Sequence, residues 1–218
     1  MKQKTLFSIA VVCLLAAFIG GVLLYTTGTG NQSAQMPEAK REALIRMHSP
    51  AEGKADAPVV IVEFFDPACD TCRAFYPLIK NMLKTHPGRI RLVLRYAPFH
   101  EGSDKVVAVL EAARKQGKFW EALEAIFASQ PDWAPNHVAR VDLVWPHLQG
   151  LGLDLDKVRA DMNAPEIANV IAQDLADART LNVTQTPEYF VNGKPLPSFG
   201  SEQLQTLVND ELHATRNR

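Results

Sequence analysis

Cys69 and Cys72 stand with two residues, Asp70 and Thr71, between them. Two thiols at that spacing lie one helical turn apart and fit a redox pair that opens and closes as a disulfide. Such a pair needs one sulfur that ionises easily and attacks, and a second that waits and resolves. A helix start supplies the first condition, because its unpaired amides and partial positive charge favour thiolate over thiol. Cys69 falls at the exposed tip and is the expected attacking sulfur. Cys72 falls one turn inward and is the expected resolving one. Of the three cysteines the other, Cys13, sits in an apolar run and reads as inert filler. No other cysteine is left for stapling, so the pair reads as chemistry.

The elements around the pair must hold it at a strand-to-helix junction. Val59 to Phe65 is an almost continuous apolar run, as expected of a strand buried on both faces. Glu63 is its anomaly, since a carboxylate inside such a strand is costly without work or a partner. The bland alternative places Glu63 at a strand edge, facing solvent. Phe75, Leu78, Ile79, Met82 and Leu83 recur at helical spacing and predict a helix from Cys69 to His86. Pro77 should kink it, and Pro87-Gly88 should end it. Ile90 to Tyr96 alternates and predicts a second strand, joined to the first by a right-handed parallel crossover.

Helical segments follow. Ser103 caps one that runs to about Lys115, and a second runs from Lys118 to Ser129. A third spans Asn136 to Leu151, interrupted by Pro146; a fourth spans Asp154 to Asn163, and a fifth runs from Pro165 to about Thr180. Trp120, Trp133 and Trp145 are expected to pack, not to cage a ligand. Thr184-Gln185-Thr186-Pro187 then precedes Tyr189-Phe190-Val191, and Asn192-Gly193 is a two-residue hairpin signal. Ser201 to about Arg216 reads as a closing helix. Before the first strand, residues 44–58 read as an irregular lead-in with a short edge strand at Leu44-Ile45-Arg46.

Two separated motifs in order, Ala57 to Cys72 and Thr184 to Gly193, make residues 45–215 resemble the thioredoxin superfamily, in its DsbA-like branch of thiol-disulfide oxidoreductases. The resemblance implies an α/β thioredoxin fold with a helical domain inserted at about 101–181. It implies that Glu63, six residues before Cys69, is the buried acid beneath the dithiol and takes the proton of Cys72. It implies a cis bond between Thr186 and Pro187, facing the dithiol and leaving nearby backbone open to a substrate strand.

Composition sets outer bounds. The chain has 218 residues, 47% hydrophobic and 22% charged, with a net charge of -1. That allows a packed core and argues against a nucleic-acid surface. No phosphate loop, dinucleotide fingerprint or serine elbow occurs, no cofactor is expected, and the six histidines lack metal-ligand spacing. His100, near the expected domain junction, receives no role. Residues 1–5 carry Lys2 and Lys4, and residues 6–25 are uncharged. A helix of that length rises about 30 Å, the thickness of a bilayer core. The reading is a transmembrane signal anchor with its lysines cytoplasmic. Residues 26–43 read as a flexible tether, and residues 44–218 as the domain, held outside the cytoplasm of a bacterial cell.

Direction of flow depends on the residues around the sulfurs. DsbA carries a histidine between its cysteines, whereas Asp70 occupies the first intervening place here, followed by Thr71. An anion beside a thiolate raises its pKa, so a milder oxidant than DsbA is expected, or a reductase or isomerase for selected clients. Thr186 before the proline resembles the isomerases and points the same way. The implied partners are protein thiols and disulfides, and a membrane redox partner of the DsbB, vitamin K epoxide reductase or DsbD type. A monomer is expected. The competing reading from another class is a copper metallochaperone in which both thiolates bind a soft ion.

Overall fold

The computed structural model describes residues 37–215. The expected cytoplasmic start, membrane anchor and first part of the tether lie outside the described residues. Among those described, no helix is long and apolar enough to cross a membrane.

Two parallel strands form the centre. β2 (Val59–Phe65) and β3 (Ile90–Tyr96) pair from Val59 against Ile90 to Phe65 against Tyr96. Both are buried along nearly their whole length, as their apolar runs require. A short β1 (Ala51–Glu52) pairs antiparallel with β3, and β4 (Glu188–Val191) pairs antiparallel with β2. β5 (Lys194–Pro195) closes a hairpin with β4, giving the order β1-β3-β2-β4-β5. Asn192 and Gly193, at φ 48° and 81°, make its turn; both backbones are left-handed, which asparagine and glycine tolerate best.

α1 (Glu38–Leu44) corrects two expectations. It occupies most of the stretch read as the end of the tether, and it ends where an edge strand at Leu44 to Arg46 was expected. The reason is tertiary. Ala43 and Leu44 are buried, α1 packs on the helix before β4, and the Ala43 carbonyl accepts from the buried Arg95 guanidinium. The edge strand falls later instead, at Ala51–Glu52. There Gly53, at φ 102°, lets the chain pass where a Cβ would meet the Ile90 carbonyl.

α2 (Asp70–Thr85) joins β2 to β3, with Cys69 as its N-cap and Pro77 inside it. Between β3 and β4 lie α3 (Ser103–Lys115), α4 (Phe119–Ala128), the single turn α5 (Gln130–Trp133), α6 (Leu155–Asp161) and α7 (Pro165–Leu181). The helix expected from Asn136 to Leu151 is absent. Three short 3-10 turns stand in its place, at Pro135–His137, Val141–Leu143 and Trp145–Leu148. Proline removes a helical donor at Pro135 and Pro146, and Asn136 and His137 have positive φ, so no regular helix propagates. Ser103 is the first residue of α3, not its cap, and its hydroxyl turns to Asp66 instead. Trp133 is fully buried with its indole N–H on the Ile126 carbonyl, while Trp145 lies under the Arg159 guanidinium. α8 (Ser201–Ala214) packs on β2 and β4.

Candidate active site

β2 delivers Glu63 to the interior and ends at Phe65. Asp66 to Cys69 then turn the chain into α2, with Cys69 N–H donating to the Asp66 carbonyl at 3.0 Å. Both thiols are free. Cys69, expected at an exposed tip, is buried at 4% exposure and Cys72 is fully buried, so the sulfur at the helix start is covered by its neighbours and is only the less deep of the two.

The two thiols are held in opposite ionisation ranges. Cys69 is lowered to about 6, first by a hydrogen bond from the Cys72 thiol, then against the upward pull of burial. The backbone amides of Cys72 and Thr71 and the Thr186 side chain add to the lowering. Burial, and the hydrogen bond given to Cys69, push Cys72 well above the ordinary thiol value. The net shift is downward, as the helix start implied, with Asp70 beside the sulfur. Asp70 is exposed and accepts from the Thr71 hydroxyl at 3.3 Å, while the amides behind it face the sulfur.

Glu63 is 2% exposed, which rules out the solvent-facing alternative. Burial raises its carboxyl to about 8, although the Tyr189 hydroxyl donates to its Oε1 at 3.1 Å and pulls the other way. Its charge in turn helps to raise Cys72, so the two groups are electrostatically coupled. Across the sulfur, the Thr186-Pro187 peptide bond is cis. Thr186 faces Cys69 in two ways: its carbonyl accepts from the thiol at 3.3 Å, and its side chain favours the thiolate. Cys69, Cys72, Glu63, Thr186 and Pro187 therefore meet in one place, drawn from three separate stretches of sequence.

Other residues of the site gave no sequence signal. Asp66 is fully buried and accepts four times: from Ala68 N–H (2.8 Å), His100 N–H (2.8 Å), His100 Nδ1 (2.8 Å) and the Ser103 hydroxyl. His100 thus has a place although its sequence position assigned none, and its ring stacks on His137 at 4.8 Å. His137 Nδ1 lies 3.3 Å from the Ala68 carbonyl and must carry the proton there, since a carbonyl only accepts. Gln130 Nε2 donates to the carbonyls of Pro67 (2.7 Å) and Cys69 (2.9 Å), and its Oε1 accepts from Arg73 Nε (2.9 Å). An acid directly after an apolar strand was the available hint for Asp66. Nothing local marks Gln130 or His137, which lie more than 60 residues downstream of the turn.

For a metal, the two thiols are the soft donors at this site. Among the described residues, His, Cys, Asp and Glu side chains form no group of three or more suited to an ion.

A sheet of this order, a dithiol at a helix start and a cis proline opposite define a thioredoxin-type α/β fold carrying a helical insertion. A profile of the family described as Thioredoxin matches residues 47–210, and the chain belongs to that family. It is 28% identical to the "Probable disulfide bond formation protein D" of Bacillus anthracis, over 97% of this chain and 96% of that one. It is 30% identical to "Na(+)/H(+) antiporter NhaA 1" of Salinispora arenicola over 91% of this chain, but spans 33% of that protein's length. A solved thioredoxin-like oxidoreductase from Silicibacter pomeroyi DSS-3 superposes with a TM-score of 0.67 at 30% identity, covering 82% of this chain and 98% of that one.

Proposed function

We propose that the chain is a DsbA-like thiol-disulfide oxidoreductase that works outside the cytoplasm on protein thiols and disulfides. The carrying observation is the split between its sulfurs: Cys69 is an acid thiol at a helix start, and Cys72 is a buried thiol that keeps its proton. In the reducing direction the Cys69 thiolate attacks one sulfur of a client disulfide. A mixed disulfide forms, and the other client sulfur leaves as thiolate. Cys72 then gives up its proton, attacks the Cys69 sulfur and expels the second client thiol. The client gains two electrons and the protein ends as a Cys69–Cys72 disulfide. Donation of a disulfide to a folding client is the same path reversed.

Glu63 is the group that exchanges a proton with Cys72. Buried near the dithiol, with a carboxyl held at about 8, it is poised to be either acid or base near neutral pH. The Thr186 carbonyl lies 3.3 Å from the Cys69 sulfur, so a client strand is received beside that sulfur. The nearly full-length match to a probable disulfide bond formation protein supports this reading.

Apolar residues 6–25 are read as a membrane anchor, which sets a membrane redox partner of the DsbB, vitamin K epoxide reductase or DsbD type beside the domain. A potential milder than DsbA's, or a reductase or isomerase role, remains the proposed direction, resting on Asp70 and Thr186. The test is to trap the redox state of Cys69 and Cys72 in living cells by rapid alkylation, and to assay disulfide exchange by the full-length chain. Exchange lost in Cys69→Ser, and a mixed disulfide accumulating in Cys72→Ser, are the expected results. Two unreactive sulfurs, or full activity without them, would sink the proposal.

A further inference from the structure

We propose that Gln130 is a positioning residue for thiol-disulfide exchange: from the helical insertion it fixes the Pro67-to-Cys69 backbone so that the first amides of α2 face the Cys69 sulfur. The inference rests on the functional reading above and names a residue that sets the acidity of its nucleophile.

The helical insertion grips the turn before α2 one residue at a time. His100 and Ser103 hold the Asp66 carboxylate, Gln130 holds the Pro67 carbonyl, His137 holds the Ala68 carbonyl, and Gln130 holds the Cys69 carbonyl. Gln130 is the member of this set that reaches Cys69 itself. It is 3% exposed, and its three hydrogen bonds all go to the turn or to the first helical turn beyond it. A buried primary amide is costly unless satisfied, and here both its protons are spent on carbonyls flanking the nucleophile.

Its own placement is firm. α5 is a single turn, and at its far end Trp133 is fully buried with its N–H tied to the Ile126 carbonyl of α4. The Arg73 guanidinium, bound to Gln130 Oε1, ties the same amide to α2. The carbonyls of Pro67 and Cys69 are therefore braced against a rigid part of the insertion. The orientation of a peptide group fixes its N–H together with its C=O. Holding the carbonyls on either side of the cap thus sets how the chain enters α2. The amides of Thr71 and Cys72, which help to favour the Cys69 thiolate, are the next donors along that path. Removing the two Gln130 donors leaves those carbonyls to turn and loosens the aim of the amides.

The test is Gln130→Met in the full-length chain, which keeps length and bulk but cannot donate. Cys69 ionisation is followed by thiolate absorbance and by the rate of iodoacetamide alkylation against pH. The parent is expected to titrate near 6. The variant is expected to titrate about one unit higher, so that alkylation at pH 5 slows about tenfold. A brace with a purely structural role would lower the melting temperature and leave that midpoint in place, and such a result overturns the proposal. A parent whose Cys69 shows no acidic titration overturns the functional reading instead, whatever Gln130 does. Should the variant not fold, the parent labelled with nitrogen-15 glutamine decides. The Gln130 side-chain amide signals are expected to shift with the Cys69 midpoint, and signals indifferent to it reject the coupling.

Discussion

Cys69 and Glu63 carry opposite pH signatures, and each leaves a measurable trace. A thiol lowered to about 6 stabilises the reduced fold at pH values above the ordinary thiol range. That contribution is lost as pH falls through about 6, because the unfolded chain then binds no more protons than the folded one. Glu63, raised to about 8, works the other way. Between the ordinary carboxylate range and about 8 the unfolded chain ionises while the folded chain keeps its proton. Stability therefore falls as pH rises through that window. Glu63→Gln is expected to remove this fall and leave the Cys69 rise, so melting temperatures of the reduced variant should climb from pH 5 to 8 relative to those of the parent. The same variant is expected to slow the resolving step by at least about tenfold, read as longer-lived mixed disulfide, since a positioned acid-base group is lost. An unchanged pH slope would mean that Glu63 ionises in the fold as it does in water. Legibility at this scale followed from chemistry and spacing. Cys69, Cys72, Glu63 and the Thr186-Pro187 pair are unusual residues at telling positions. Gln130 and His137 are ordinary residues in ordinary stretches, and only their contacts give them meaning.

Among the elements, α7 and β3 are joined by a buried ionic cluster. Arg95 is fully buried and pairs with Asp174 and Asp177 at 2.6 Å each. Asp174 also takes His48 Nε2 at 2.6 Å and Tyr96 N–H at 2.8 Å, and Asp177 takes Arg46 at 2.7 Å. Two residues of the lead-in, Arg46 and His48, are thereby clamped to the same helix that α1 packs on. Asp174→Ala is expected to cost about 3–5 kcal/mol by leaving Arg95 with one carboxylate, measured by urea denaturation. A loss under about 1 kcal/mol would show that water replaces the lost partner. Gly102, the left-handed residue that opens α3, gives a second test. A Cβ there would run into the Ala139 carbonyl, so Gly102→Ala must shift a backbone that feeds the His137 turn. It is expected to destabilise by about 1–3 kcal/mol in the same measurement. Sequence patterning found β2 and β3 through their apolar runs, and α2 and most insertion helices through one dominant apolar face each. It missed α1, whose burial comes down to Ala43 and Leu44 and whose fit depends on a helix more than 100 residues away. It also read a helix across Asn136 to Leu151, where prolines and left-handed residues divide the chain into turns.

For the molecule as a whole, the helical insertion and the thioredoxin-type sheet behave as one unit at the active site, since the insertion supplies bonds to each residue from Asp66 to Cys69. Changes in the insertion should therefore be felt at the sulfur. The whole chain is expected to stay with membranes through alkaline extraction, as the apolar stretch at 6–25 implies, while a chain starting at residue 37 is expected in the soluble fraction. Copper titration offers a check on the competing class. The reduced chain is expected to exchange disulfides at rates unaffected by a copper chelator, and activity that depends on copper would favour the metallochaperone.

By itself the sequence determined where the reactive thiols are, which strand leads into them and which turn faces them. The thiols and the strand before them are encoded by residues close together in the chain, and short spacings survive folding unchanged; the facing turn lies more than 100 residues away and was expected from the family resemblance. Tertiary structure alone decided how far Cys69 is acidic, that Glu63 points inward, and that Gln130, His100 and His137 converge on the turn. Acidity depends on which dipoles and donors reach a sulfur in space, and those come from segments that only packing brings together.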